Sequence, residues 1–214
     1  MKEIKKGAIV GRKSYGKDVL FVVKNIISTK NGDIAILRGM IERVEADSDI
    51  DDLEIIQKED VKEYLKKKDE EIDKRIEKSR TERQNKNYKI GILMKNTRSK
   101  EKIVTGKILH LDGDRKYSEK SYRYYKKLGL NAIVKNIPEY KQPRVVYQLL
   151  KIYEPDILVV TGHDAILKRG MNYHDIYNYR NSKYFIETVK EARRYDKENG
   201  KQLVIFARCL SKLL

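Results

Sequence analysis

The 214-residue sequence predicts a mixed α/β protein with an all-β module at its N-terminus. Three observations carry that prediction. Short β-branched runs separated by hairpin chemistry fill residues 4–56, a charged stretch with one narrow apolar stripe fills 57–102, and strand and helix patterns alternate from 103 to 214. The predicted organisation is a small SH3-like β-barrel at 1–56, a charged helical linker at 57–102, and an α/β domain at 103–214 built on a doubly wound parallel sheet of about four strands.

In the first segment the apolar runs are Ile9–Val10, Val19–Val23, Ile34–Leu37 and Leu53–Ile56. Tyr15-Gly16-Lys17-Asp18 and Lys30-Asn31-Gly32-Asp33 separate them. Asn-Gly between apolar runs is a strong hairpin signal, because both residues tolerate positive φ. Four or five such strands in so short a segment suggest a small barrel of the kind used as an interaction module. Tyr15 and Phe21 either line a binding face or fill its small core.

From residue 57 charge dominates. Val61, Tyr64, Leu65, Ile72 and Ile76 fall on one helical stripe, which predicts a long exposed helix from about Lys58 to Asn87, with a loop over Tyr88–Lys102. The third segment reads as strand Lys107–Leu111, helix Ser118–Leu128 ended by Gly129, strand Ala132–Ile137, helix Arg144–Tyr153 stopped by Pro155, and strand Ile157–Thr161. A helix capped by Ser182 then runs to about Lys197, Gly200 ends it, and Leu203–Ala207 is the last strand. The run Ile157–Thr161 is almost wholly apolar, as suits a strand buried on both faces.

Composition narrows the function classes. No run approaches the about 20 apolar residues of a spanning helix, which predicts no membrane partner. The opening Met-Lys-Glu-Ile-Lys-Lys-Gly precedes no apolar core of a signal peptide, and the single cysteine, Cys209, excludes a disulfide scaffold. The net charge of +16 favours attraction to polyanions. Lys and Arg are nevertheless spread along the chain, with no zinc-finger spacing, RNP motif or helix-turn-helix beside them. A basic nucleic-acid-binding protein that reads through the N-terminal barrel is thus the alternative, and the less favoured one. No His-x-x-x-His or Cys-x-x-Cys spacing exists, so neither a metal nor an organic cofactor is expected.

In sheets of this type ligands gather beyond the carboxyl ends of the strands. Three strand ends carry chemistry: His110-Leu111-Asp112-Gly113-Asp114, Thr161-Gly162-His163-Asp164, and Ala207-Arg208-Cys209. With strand order 2-1-3-4 these ends become neighbours, bringing acids, an imidazole and a thiol to one rim. A thiol and an imidazole make a nucleophile and its base. Gly162 lets backbone and substrate approach His163, while Asp112, Asp114 and Asp164 are candidates for orienting the imidazole or for binding a basic residue. The competing reading makes these residues structural, as a lone histidine after a strand often is. His110, inside a strand, and His174, in a polar loop, have weaker claims. A receiver-like signalling site is disfavoured, because the lysine such a site places after a late strand is absent.

These residues resemble the YabG family of sporulation-specific proteases. The resemblance is carried by Ala-Ile-Val-Gly-Arg-Lys-Ser-Tyr (8–15), Asp-Val-Leu-Phe (18–21), Ala-Ile-Leu-Arg-Gly (35–39), Ala-Asp-Ser-Asp (46–49) and Ile-Leu-His-Leu-Asp-Gly-Asp (108–114). It continues through Pro-Asp-Ile-Leu-Val-Val-Thr-Gly-His-Asp-Ala (155–165), Tyr-Arg-Asn-Ser-Lys-Tyr-Phe (179–185) and Gln-Leu-Val-Ile-Phe-Ala (202–207). The resemblance implies a cysteine peptidase that trims spore coat and related sporulation proteins, in the mother-cell cytoplasm or at the spore coat, with its histidine on His163. The topology, with His after one strand and Cys after the next, is similar to caspase-like proteases.

The tail departs from that family. After Phe206-Ala207 the family continues with Gly-Ala-Cys-Gln-Ser and a further region, whereas this sequence reads Arg208-Cys209-Leu210-Ser211-Lys212-Leu213-Leu214. A one-base insertion after the Ala207 codon would produce such a tail. Cys209 then stands one position short of the family nucleophile. The expectation is a truncated catalytic domain with little or no activity.

Overall fold

The computed structural model describes residues 3–30, 32–95, 105–164 and 175–210, without the side chains of 87–95 and 209–210. Its contacts divide the chain into two compact units, one running to Asp69 and the other spanning Glu70–Cys209.

The first unit is a five-stranded antiparallel sheet of order β4-β3-β2-β1-β5. Its strands are β1 (Ile9–Arg12), β2 (Leu20–Thr29), β3 (Gly32–Gly39), β4 (Glu45–Asp49) and β5 (Leu53–Ile55). The Asn-Gly reading holds in its outcome: β2 and β3 form a hairpin closing with Thr29 opposite Gly32. Asn31 itself lies outside the described residues. One extra residue between Val23 and Asn25 makes a bulge that bends β2. Val10, Phe21, Val23, Ala35, Leu37, Ala46 and Leu53 form the core, so Phe21 is a core residue. Tyr15 is 57% exposed, with the Arg12 guanidinium over its ring. The sheet is antiparallel as expected, but β4 and β5 are its two edges, and no ladder among the described residues closes it into the expected SH3-like barrel.

The strand β4 was not among the apolar runs. Its sequence is Glu-Ala-Asp-Ser-Asp, in which only Ala46 and Ser48 turn inward and are buried. The acidic residues on the other face suit an edge strand, where charge discourages further pairing.

Helix α1 spans Lys58–Lys95 and so continues through the first part of the expected loop at 88–102. Nothing in the sequence over 88–95 breaks a helix strongly, and Gly91 alone costs only about 1 kcal/mol relative to alanine. The remainder of that loop, 96–102, lies outside the described residues.

In the second unit the sheet order is β7-β6-β8-β9, which is the expected 2-1-3-4. The strands are β6 (Ile108–Asp112), β7 (Ala132–Asn136), β8 (Ile157–His163) and β9 (Val204–Leu210). β6 is parallel to both β7 and β8, with Asp112 level with Asn136 on one side and Thr161 on the other. The Val204 amide donates to the Asp156 carbonyl, so β9 starts level with β8. Both strands have seven residues, and they are neighbours in the sheet.

Helices α2 (Arg115–Lys127), α3 (Gln142–Tyr153) and α4 (Ser182–Asn199) connect the strands. One sheet face presents Leu109, Leu111, Leu158 and Val160 to Val146, Leu150, Phe185, Ala192 and Tyr195 of α3 and α4. Each fully buried Leu or Val among these contributes about 1.5–3 kcal/mol. The other face meets α2 with polar side chains, and there the site is built.

Two helix starts differ from expectation for the same reason. Helix α2 begins at Arg115, because the Asp114 carboxylate caps the amides of Lys116 and Tyr117. Helix α4 begins at Ser182, but the Ser182 hydroxyl does not cap it. It donates instead to Asp164, which also accepts the Asn181 amide at 2.9 Å. A carboxylate at a helix start satisfies free amides and complements the helix dipole.

Candidate active site

The site lies at the carboxyl ends of β6 and β8. β6 ends at Asp112, Gly113 turns the chain, and Asp114 opens α2. β8 ends at His163, whose side chain is about one quarter exposed (26%). Its Nδ1 stands 3.9 Å from Oδ2 of Asp114. That is too long for a hydrogen bond but close enough for the charge to orient an imidazolium, and such contacts tighten when substrate binds. Oδ1 of the same carboxylate accepts the Lys116 amide at 2.8 Å, so α2 fixes the acid that faces His163. The Tyr117 ring meets the imidazole edge-on at 5.5 Å.

Asp112 does other work. It is 1% exposed and stands in a buried polar chain. The Tyr125 hydroxyl lies 3.2 Å from Nδ1 of His110. Nε2 of His110 lies 2.7 Å from the Thr161 hydroxyl, which donates to Asp112 Oδ2 at 2.6 Å. Asp112 Oδ1 accepts the Asp114 amide at 2.8 Å. Donors and acceptors match throughout when Tyr125 donates and His110 is the neutral Nε2–H tautomer. Burial raises the Tyr125 phenol above its ordinary value, and the Asp112 charge adds to this. The chain therefore ends on the backbone of the residue that faces His163. Tyr125 thus has a polar role on α2, whereas Tyr122 of the same helix is about half exposed.

Gly162 is where the geometry departs most from expectation. The space beside it holds protein, not open room for substrate. A Cβ there would fall 2.5 Å from Glu139 Oε1 and 2.6 Å from Phe185 Cζ. Glu139 reaches this point from a short 3-10 turn after β7, Glu139–Lys141, and its Oε1 accepts the His163 amide at 2.8 Å. Sequence reasoning did not single out Glu139. The usable signal is the matched pair of glycines in Asp112-Gly113 and Thr161-Gly162, the first directly after β6 and the second next to the last residue of β8.

Asp164 is buried at the α4 start and engaged by Asn181 and Ser182, while the Asn181 side-chain amide donates to the His163 carbonyl at 2.6 Å. Cys209 lies in β9, beside β8, with its side chain outside the described residues. His174 also lies outside them. Among the described residues no three His, Cys, Asp or Glu side chains gather as a metal site requires, and no helix is long and apolar enough to cross a membrane.

Two comparisons bear on this geometry. The sporulation-specific protease YabG of Bacillus subtilis (strain 168) is 38% identical over 216 residues, spanning 94% of this chain and 70% of that protein. The sequence model of the YabG peptidase U57 family matches residues 5–213. That match extends beyond Ala207 and gives no support to a break in reading frame or a truncated domain. A family match over nearly the whole chain and this level of identity settle the family: the chain belongs to the YabG peptidases.

Proposed function

We propose that this chain is a sporulation-specific protease of the cysteine type that hydrolyses peptide bonds in spore coat and other sporulation proteins, in the mother cell or at the coat. The observation that carries the reading is His163, a partly exposed imidazole beside the Asp114 carboxylate at a sheet rim. The β9 strand bearing Cys209, the single thiol of the chain, adjoins β8 at that rim.

In this mechanism His163 takes the thiol proton and the thiolate attacks the scissile carbonyl carbon. The C–N bond breaks as the imidazolium gives its proton to the leaving amine, leaving a thioester. Water then gives a proton to His163 and its oxygen to the acyl carbon, releasing the acid and restoring the thiol. Asp114 stabilises the imidazolium in both halves of the reaction.

The test is hydrolysis of a purified spore coat protein. His163→Ala is expected to lower the rate about 10²–10⁴-fold, the range for a positioned acid–base group. Cys209→Ala should abolish hydrolysis, and iodoacetamide should alkylate Cys209 more slowly in His163→Ala. Equal rates in wild type and His163→Ala would overturn the assignment of the base. One step along a strand switches faces. An inactive wild type that gains hydrolysis on Leu210→Cys would therefore move the nucleophile one position and remove Cys209 from the mechanism.

A further inference from the structure

We propose that Glu139 is the positioning residue of His163, a carboxylate wedged between two strand ends that holds the backbone of the base in place. The proposal rests on the reading of His163 as base. The ladder between β6 and β8 ends at Asp112 and Thr161, and Gly113 adds one last bond by donating to the Thr161 carbonyl at 3.2 Å. The His163 amide lies past these pairs, and Glu139 supplies its acceptor. On the other side Asn181 donates to the His163 carbonyl. The peptide groups flanking the imidazole are thus gripped from two directions.

The fit of the wedge is tight. A Cβ at Gly113 would fall 2.2 Å from the carboxyl carbon of Glu139, and its three nearest atoms all belong to that carboxyl group. A Cβ at Gly162 would meet the same side chain at 2.5 Å. Neither position accepts a side chain while Glu139 is seated, and at Gly162 the Phe185 ring closes the space as well. The turn that delivers Glu139 is itself anchored. The Ile137 amide donates to the Asp112 carbonyl at 2.9 Å, the Asn136 side chain donates to the same carbonyl at 3.0 Å, and the fully buried Gln142 donates to the Ile137 carbonyl at 2.9 Å. The carboxylate therefore arrives pre-placed, with β6, β7 and β8 tied together at the point where the base leaves the sheet. A shift of about 1 Å in a reacting group can cost on the order of 10²-fold in rate.

The experiment is a double-mutant cycle read in two ways: kcat and KM on a spore coat protein, and the amide resonance of His163 in the 15N-labelled full chain. Glu139→Ala is expected to lower kcat about 10–100-fold with little change in KM, and to move the His163 amide proton upfield as its acceptor is lost. Glu139→Gln, whose amide oxygen accepts the same bond, should restore both signals. Gly113→Ala should reproduce the Glu139→Ala loss by evicting the carboxylate. The double variant should be no worse than Glu139→Ala alone, since the clash has gone with the side chain. Additive losses in the cycle, Glu139→Gln as impaired as Glu139→Ala, or a raised KM at unchanged kcat would overturn the proposal, the last marking Glu139 as a substrate contact. An unmoved His163 amide in Glu139→Ala overturns it whatever the activity. If the amide follows the expected pattern while neither wild type nor any variant hydrolyses substrate, the wedge stands and the reading of His163 as base falls.

Discussion

In the antiparallel unit a well-connected carboxylate, Asp52, keeps about one quarter of its side chain open to water. Asp52 accepts the Ser14 amide at 2.8 Å and the Ser14 hydroxyl at 2.7 Å, and pairs with Arg12 at 3.2 Å. In the parallel unit the corresponding acid, Asp112, is 1% exposed and bonded to Thr161 and the Asp114 amide. Both acids fix a turn beside a strand. Asp52 does so where water can replace any partner that is lost, and Asp112 where water cannot. The contrast teaches where geometry is expensive to disturb. A buried polar group without a partner carries its full desolvation penalty, whereas an exposed one is rehydrated. The unit that places the base and its acid on strand ends is the one whose polar chain is sealed inside.

The largest stability effect is accordingly expected at Thr161. Thr161→Val keeps the shape but removes the hydroxyl that meets Nε2 of His110 and donates to Oδ2 of Asp112. Each buried group left unpaired costs about 1–3 kcal/mol. The urea midpoint should fall accordingly, and Thr161→Ser should recover most of the loss by restoring the hydroxyl. A Thr161→Val chain as stable as wild type would break the contrast, since the polar chain would then hold nothing in place.

Much of the molecule was legible from its residues, and the boundary of legibility has a physical cause. The parallel sheet and its order follow from apolar runs alternating with helical stripes, and the rim of His163 and Asp114 follows from where such strands end. Signals that act over three or four residues were readable. The strand β4 was hidden because an edge strand can be built from small and acidic residues, with only Ala46 and Ser48 turned inward. Glu139 was hidden because 24 residues separate it from His163 and only the β6–β7–β8 register brings them together. Ser182 looked like a cap because serine commonly is one. The folded chain instead gives the helix start to Asp164, on a strand end eighteen residues earlier.

A smaller effect is expected at Asp52, and pH sharpens it. Hydrogen bonds from Ser14 come first and the Arg12 charge adds to them, holding this carboxyl down at about 2. An unfolded chain returns it to about 3.9. The folded state therefore favours the ionised form. That stabilisation is present above about pH 4 and is lost as pH falls through the folded value. Asp52→Asn should cost at most about 1 kcal/mol near neutrality, as for other exposed pairs. Wild type and variant should converge in acid. A difference that persists at the acid end would mean that packing, not charge, accounts for the loss.

The smallest expected effect lies at Tyr64, on α1 within the first unit. Its hydroxyl donates to the Glu42 carboxylate at 3.0 Å. Burial first, then the Glu42 charge, raises this phenol to about 12. Here the folded state favours the neutral form, so the contribution is complete below about pH 10 and is lost as pH rises through the folded value. Tyr64→Phe should remove one late step from the alkaline tyrosinate absorbance curve and leave the earlier steps in place. It should cost about 0.5 kcal/mol near neutrality, the low end of the net worth of one hydrogen bond. Because Glu42 also pairs with Lys68 at 3.3 Å, the carboxylate keeps a partner when the phenol is gone, which holds the cost near the lower end. A loss as large as that of Thr161→Val would show that the first unit, too, depends on a polar contact that water cannot replace, and the distinction between the two units would fail at this point.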